Sequence, residues 1–330
     1  MIDFNRAFST AWERMMIILF RPFDLGKWFT IAVGAFLVGL LQGGNGYSGN
    51  GMGNVSDVFN KSKYDHNAPK VDFHEAWSKI RETFSGIEWG VIIGVSVAVI
   101  FFIICLSLLV QWLGARGHFI LLDNIVRNRG EVSLPWSQYA RQANGFFLLY
   151  LGFAFASLIL TIPILVVAVV TVFPLIQHPH SPTSGEWATY AVLALAYIAV
   201  VIVTAIILFI LREFCPPLMF RQGLTAKAAL FEVVEVVKQN PGNVALIILL
   251  RIVLAIGMGI FSILVCCLSC CIGLLPFIGT VLILPGIIYI RCFTLDCIAQ
   301  LGPRYDVWTV DLPVATPTTF SPFTPRPPLG

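Results

Sequence analysis

The stretch CCLSCC at residues 266–271 is the first place to look for chemistry. Cysteines at CxxC spacing bring thiolates together on a helix, where they could hold zinc or an iron–sulfur cluster. Here all four lie at one helix end, with no second cluster and no nearby histidine. That end is expected at the outer membrane surface, where disulfides persist. Cysteine is also a small apolar residue suited to membrane helices. Apolar packing is the preferred reading, with a disulfide and a metal site as the alternatives. No cofactor or metal is expected.

Three charges sit inside apolar runs. Arg251 lies nine residues past Gly242, about 13 Å along a helix. Arg291 stands at similar depth in the last run, and Asp296 follows one turn nearer the cytoplasm. Ionisable groups within a membrane are often functional, although arginine can also snorkel to the nearer interface. Asp296 is the only acid in the last two runs. An unpaired charge at a helix centre costs about 2.5–3.5 kcal/mol on insertion scales. A buried ion pair of Asp296 with Arg251 or Arg291 is therefore expected.

Other candidates are weaker. His178 and His180, in QHPHSP, have no third ligand and read as a polar outer turn. GGNGYSGNGMGN (43–54) is glycine-rich but lacks the Lys-Ser/Thr of a phosphate loop, so it reads as a linker. There is no HExxH, no GxSxG, no Walker loop and no dinucleotide fingerprint in a suitable context. No enzyme activity and no nucleic-acid partner are expected.

Composition names the solvent of the elements that must carry these residues. Of 330 residues 57% are hydrophobic and 12% charged, and the mean hydropathy is +0.84. A soluble domain carries about 25% charged residues, so part of the surface must face lipid. Residues 89–113, 188–211 and 244–268 are long enough to cross about 30 Å of hydrocarbon as helices. Residues 28–42 are short for a span, 146–176 contain Pro163, and 272–299 contain Pro276 and Pro285. The expected fold is all-α: a polytopic membrane protein of about six transmembrane helices, arranged as three hairpins with cytoplasmic amphipathic helices. The 146–176 run is read as one span, with two re-entrant halves as the alternative.

Segments 1–27, 114–145 and 212–243 each hold four Lys or Arg, whereas 177–187 and 269–271 hold none. This alternation is the positive-inside pattern and puts both termini in the cytoplasm. The long 43–88 segment carries five Lys or Arg yet is placed outside, because the rule weakens in long loops. Within it Phe73, Trp77, Ile80, Phe84 and Ile87 recur at helical spacing and suit an amphipathic helix on the outer leaflet. No removable signal peptide is read at the N-terminus.

Three segments approach the membrane alike, each with a basic residue, then Gly26, Gly145 or Gly242, then an apolar run. Phe4, Phe8, Ala11, Met15 and Ile18 mark an amphipathic helix before the first, opposite Arg6, Glu13 and Arg14. Thr225 can cap a second before the third, with Leu230, Val233, Val234 and Val237 on its face. The ends also echo one another: Arg212-x-Phe214 then Gly223, Arg291-x-Phe293 then Gly302, and more loosely Arg116, Phe119 and Gly130. Residues 1–302 therefore read as one membrane domain with candidate repeats 1–115, 116–211 and 212–302. Between the first two apolar stretches, Pro22 ends a helix, Gly26 eases the turn, and Arg21, Lys27 and Trp28 are expected as interfacial anchors. Residues 303–330, rich in Pro and Thr, are expected to be a disordered cytoplasmic tail.

The stretch AWERMMIILFRPFDLGKWFTIAVGAFLVGLLQGGNG resembles the start of an uncharacterised family of polytopic prokaryotic membrane proteins, in which a PFDLxxW-type segment precedes the first span and a Gly-rich loop follows. The layout is also distantly similar to membrane domains joined to some glycerophosphodiester phosphodiesterases, although this chain has no soluble phosphodiesterase domain. The resemblance implies a multi-pass protein of a prokaryotic cytoplasmic membrane and carries over no functional residue. The expected role is non-enzymatic, in scaffolding, assembly or regulation, with the lipid bilayer and membrane proteins as partners. A transporter or channel is the alternative.

Overall fold

Asp3 starts the first helix, its carboxylate accepting the Arg6 amide at 3.1 Å, the cap bond that a short acid gives to an orphan donor. The structure, a computed structural model, describes residues 2–41, 89–177, 183–269 and 276–309. The features expected within 43–88, His178 and His180, Cys270 and Cys271, and the tail from 310 onward lie outside the described residues.

The described residues form nine α-helices and no strand: α1 (Phe4–Phe20), α2 (Leu25–Leu41), α3 (Trp89–Val126), α4 (Ser133–Gln138), α5 (Ala140–Gln177), α6 (Ser184–Gln222), α7 (Ala226–Gln239), α8 (Pro241–Leu268) and α9 (Pro276–Ala299). Local chemistry sets several ends. Asp24 accepts the amides of Gly26 and Lys27 at 2.8 and 3.3 Å and so caps α2. Thr183 and Glu186 form a reciprocal capping box at α6. Gly223, at φ 65°, ends α6 in the left-handed conformation that glycine adopts freely. Thr225 caps α7 through the Ala228 amide at 3.4 Å, as its sequence suggests.

Five helices, α3, α5, α6, α8 and α9, are long and apolar enough to cross a membrane. The 146–176 run lies within one helix through Pro163. The expected count of six depends on α2, whose 17 residues extend only about 25 Å. By contrast α3, α5 and α6 have 38, 38 and 39 residues and reach nearly 60 Å, well beyond about 30 Å of hydrocarbon. Burial explains the excess. On α3, residues 93–107 are exposed throughout and 114–125 are buried; on α6, 213–220 are buried. The apolar stretches face outward, and the polar ends pack into a shared core.

That core has a recurrent pattern. Helix α2 packs on α3, α5 on α6, and α8 on α9. The short helices α4 and α7 pack on the preceding α3 and α6, and α1 packs on the last helix, α9. Helix α1 is amphipathic, as its spacing predicts, but its apolar face does not lie open to a membrane surface. Instead that face is covered by α9: Phe8 stacks on Phe293 at 4.6 Å, and Ala7, Ala11, Met15 and Ile18 are buried. The Asp3 amide donates to Gln300 Oε1 at 2.7 Å, joining the start of α1 to the end of α9.

Two of the three anchor residues also turn inward. Arg21 is exposed, but Lys27 Nζ donates to Asn128 Oδ1 at 2.6 Å. Trp28 Nε1 donates to the Val281 carbonyl at 3.1 Å. Pro285 stands four residues after Val281 and has no N–H, so the helix cannot supply that carbonyl's usual partner. Trp28 closes a gap that hydrocarbon could not satisfy. Trp28→Phe should keep the ring and lose the bond, costing about 1–3 kcal/mol in a detergent unfolding assay. The tail begins later than expected. Residues 303–309 form two 3₁₀ turns, with Val307 buried and the Tyr305 hydroxyl donating to Glu232 Oε1 at 3.2 Å. The Tyr305 and Trp308 rings give this segment apolar anchors that proline content alone does not reveal.

Candidate functional site

The charges inside the apolar runs are buried and paired, but not as expected. Glu213, on α6, holds both arginines: Arg291 Nη1 lies 2.9 Å from Oε2, and Arg251 Nη2 lies 3.4 Å from Oε1. The three residues are 3–9% exposed. Asp296 instead meets Arg14 of α1 at 3.4 Å. The reason is helical geometry. Residues 291 and 296 are five apart, so their side chains diverge by about 140° around α9. Arg291 faces α6 and Asp296 faces α1. Arg14 also lies 3.5 Å over the Trp308 ring, tying the C-terminal turns to the same pair. A double-mutant cycle of Arg14→Gln with Asp296→Asn should show a coupling of about 0.5–3 kcal/mol. The Arg251→Gln and Asp296→Asn cycle should be additive.

Glu213 sits where α6 is least regular. Pro216 and Pro217 cannot donate to the carbonyls of Arg212 and Glu213, four residues earlier. Beside the interrupted ladder, Pro216 and Pro217 help line a cavity of about 30 Å³ between three helices. It is lined by His118 on α3, Arg212 and Glu213 on α6, and Arg291 on α9. His118 is buried, edge-on to Phe146 at 5.7 Å. Phe119, Phe214 and Phe293 are each at most 1% exposed. The residue two places beyond each one, Leu121, Pro216 and Leu295, faces the cavity.

Two further polar clusters brace α3. Asp123, fully buried, pairs with Arg127, whose Nε lies 3.0 Å away, and accepts hydrogen bonds from Arg129 Nε at 2.8 Å and the Tyr139 hydroxyl at 3.3 Å. Burial, and then the Asp123 charge, hold Tyr139 above its usual pKa, so it remains a donor at neutral pH. Arg116 donates to the Trp136 carbonyl at 2.7 Å and to Asn144 Oδ1 at 3.2 Å, with Trp112 and Trp136 rings beside it. Sequence reading missed Glu213, His118 and the role of Arg14. Cys266 and Cys267 occupy the last turn of α8, far along the chain from this site.

The described residues hold helices and no strand, and five of the helices are long and apolar enough to cross a membrane, the make-up of helical membrane proteins, with buried ion pairs bracing one end. More particularly, the chain belongs to a protein family of unknown function, DUF7544, whose profile matches residues 4–308. No curated protein and no solved structure matches it. The likeness in layout to phosphodiesterase-linked membrane domains finds no support in these comparisons.

Proposed function

We propose that this is a non-enzymatic, multi-pass protein of a prokaryotic cytoplasmic membrane, with a scaffolding, assembly or regulatory role. Helix α2 serves as the sixth span, and three units of amphipathic, inbound and outbound helix meet at the cytoplasmic end. The observation that carries the reading is the pairing of the buried charges: Glu213 with Arg251 and Arg291, Asp296 with Arg14, and Asp123 with Arg127 and Arg129. These groups spend their charge on one another and on joining helices, which suits a rigid platform. Repetition is supported by the equivalent placement of Leu121, Pro216 and Leu295, and by α1 packing on α9 as α4 does on α3 and α7 on α6.

Topology is tested by single cysteines in a background lacking reactive native ones. A membrane-impermeant reagent applied from outside should label a cysteine at Asn50 and miss one at Asn128. Labelling at Asn128 would sink the arrangement. The second reading, a transporter or channel, is favoured by one observation, the polar cavity where α3, α6 and α9 converge. Reconstituted vesicles separate the two: the platform reading expects ion leak no greater than in protein-free vesicles. A saturable flux abolished by a substitution in the cavity would establish the second.

A further inference from the structure

A long open groove runs along α5. One part, of about 700 Å³, lies between α5 and the start of α7 and is lined by Gly145, Gly152, Ala156, Thr225 and Lys227 among others. A second part, of about 380 Å³, lies between α5 and α6 and extends to Leu160, Val200 and Val203. Phe153 and Ala156 line both, so the two parts adjoin. From Gly145 to Leu160 the groove follows α5 for about 22 Å. One leaflet with its headgroup layer is about 20–22 Å thick, half of a whole bilayer. The groove is as long as one phospholipid.

Charge marks one end of it. Lys227 lines the groove there, is exposed and has no ion pair among the described residues. Residues 141, 145, 148, 152 and 156 are three or four apart and fall on one face of α5. That places Arg141 one turn before Gly145, exposed and likewise without an ion pair among the described residues. A Cβ built on Gly145 would stand 3.4 Å from the Ala226 Cβ, so both cations belong to the same end. The Thr225 hydroxyl accepts the Ala228 amide and keeps its own proton to donate. Among the described residues no carboxylate lines either part, and the first turn of α7 has no acid. Further along α7, Glu232 meets Tyr305 and Arg304, and Glu235 meets Gln239. A free anion would answer the cations and leave the apolar walls uncovered. An apolar helix would cover the walls and leave the cations bare. An anionic phospholipid does both, and such lipids collect basic residues at membrane surfaces.

We propose that this groove binds one anionic phospholipid, its phosphate held by Lys227, Arg141 and Thr225, with an acyl chain lying along α5 past Gly152 and Ala156. The site needs a bilayer but neither the platform role nor a particular orientation of the termini. The test uses the full chain, delipidated in a neutral detergent. It receives equal amounts of phosphatidylglycerol and phosphatidylcholine with the same chains, and native mass spectrometry reads what stays bound. One phosphatidylglycerol per chain should be preferred about twentyfold, roughly fivefold for each cation. Lys227→Gln and Arg141→Gln should each lower the preference about fivefold, and together abolish it, without lowering the unfolding midpoint. Lys238→Gln, the same charge change at the other end of α7, should leave the preference intact. Gly152 has nothing within 4 Å of a built Cβ, so Gly152→Leu should fill the groove and weaken retention of both lipids about tenfold. Equal retention of the two lipids by the wild-type protein would overturn the proposal. So would a preference that survives the double variant or falls as far in Lys238→Gln. Inorganic phosphate raising the unfolding temperature as much as phosphatidylglycerol would reduce the site to a free-anion site. A Gly152→Leu variant that keeps its lipid but loses a dimer would assign the groove to a second copy of the chain; either result overturns the lipid site.

Discussion

Glu213→Gln should be among the most damaging single substitutions in the chain, lowering stability by about 3–5 kcal/mol. The carboxylate is 3% exposed and is the partner of two buried guanidiniums that arrive from α8 and α9. Glutamine keeps the shape and one acceptor but removes the charge. Arg251 and Arg291 would then face each other's field in an apolar surround, and α6 would lose its link to both helices. The loss should appear as a lower unfolding midpoint and a smaller monodisperse fraction in detergent. A control separates charge from shape. Replacing the three residues together, Glu213→Leu with Arg251→Met and Arg291→Met, removes the need for pairing. Buried ion networks exchanged for apolar residues of similar size are often neutral or stabilising. The triple variant should therefore recover most of the loss. A triple variant as unstable as Glu213→Gln would show that packing, not the ion pairs, joins these helices.

The sequence is legible where one helix decides the outcome and opaque where two must agree. Apolar runs give the long apolar helices directly, and Thr225 caps its helix as its position suggests. Glu213 was hidden by its neighbours. It follows an apolar run by two residues and precedes Pro216–Pro217, so it reads as the start of a polar connection. Helix α6 instead continues to Gln222, and everything from Phe214 to Phe220 is buried. An acid followed by seven apolar residues was the available signal. Arg14 was hidden differently. Its place opposite the apolar face of α1 suits solvent, and only the docking of α1 on α9 gives it Asp296. The ion pair expected for Asp296 failed on angle, because depth along a helix can be counted from sequence while the partner facing each side cannot.

The register between α2 and α3 yields the sharpest expectation of that second kind. These helices run antiparallel: Gly34 lies against Leu121, and Gly117 lies against Leu37 and Val38. Without side chains at the crossing the two backbones approach closely, as small residues permit in membrane helices. A Cβ built on Gly117 would stand 2.8 Å from the Val38 amide nitrogen and closer still to the Leu37 side chain. The Val38 backbone cannot swing aside as a flexible side chain could, so one helix must move. Gly117→Ala gains about 1 kcal/mol of helix propensity, yet overpacking costs about 1–3 kcal/mol or more, so the net effect should be destabilising. Gly117→Leu should separate α2 from α3 and abolish folded protein. Gly39, on α2, has nothing within 4 Å of a built Cβ, so Gly39→Ala should stabilise or be neutral by the same propensity gain. Opposite signs at the two glycines, measured by unfolding in one detergent, are the expected result. Equal effects at both would mean that α2 and α3 do not cross at Gly117.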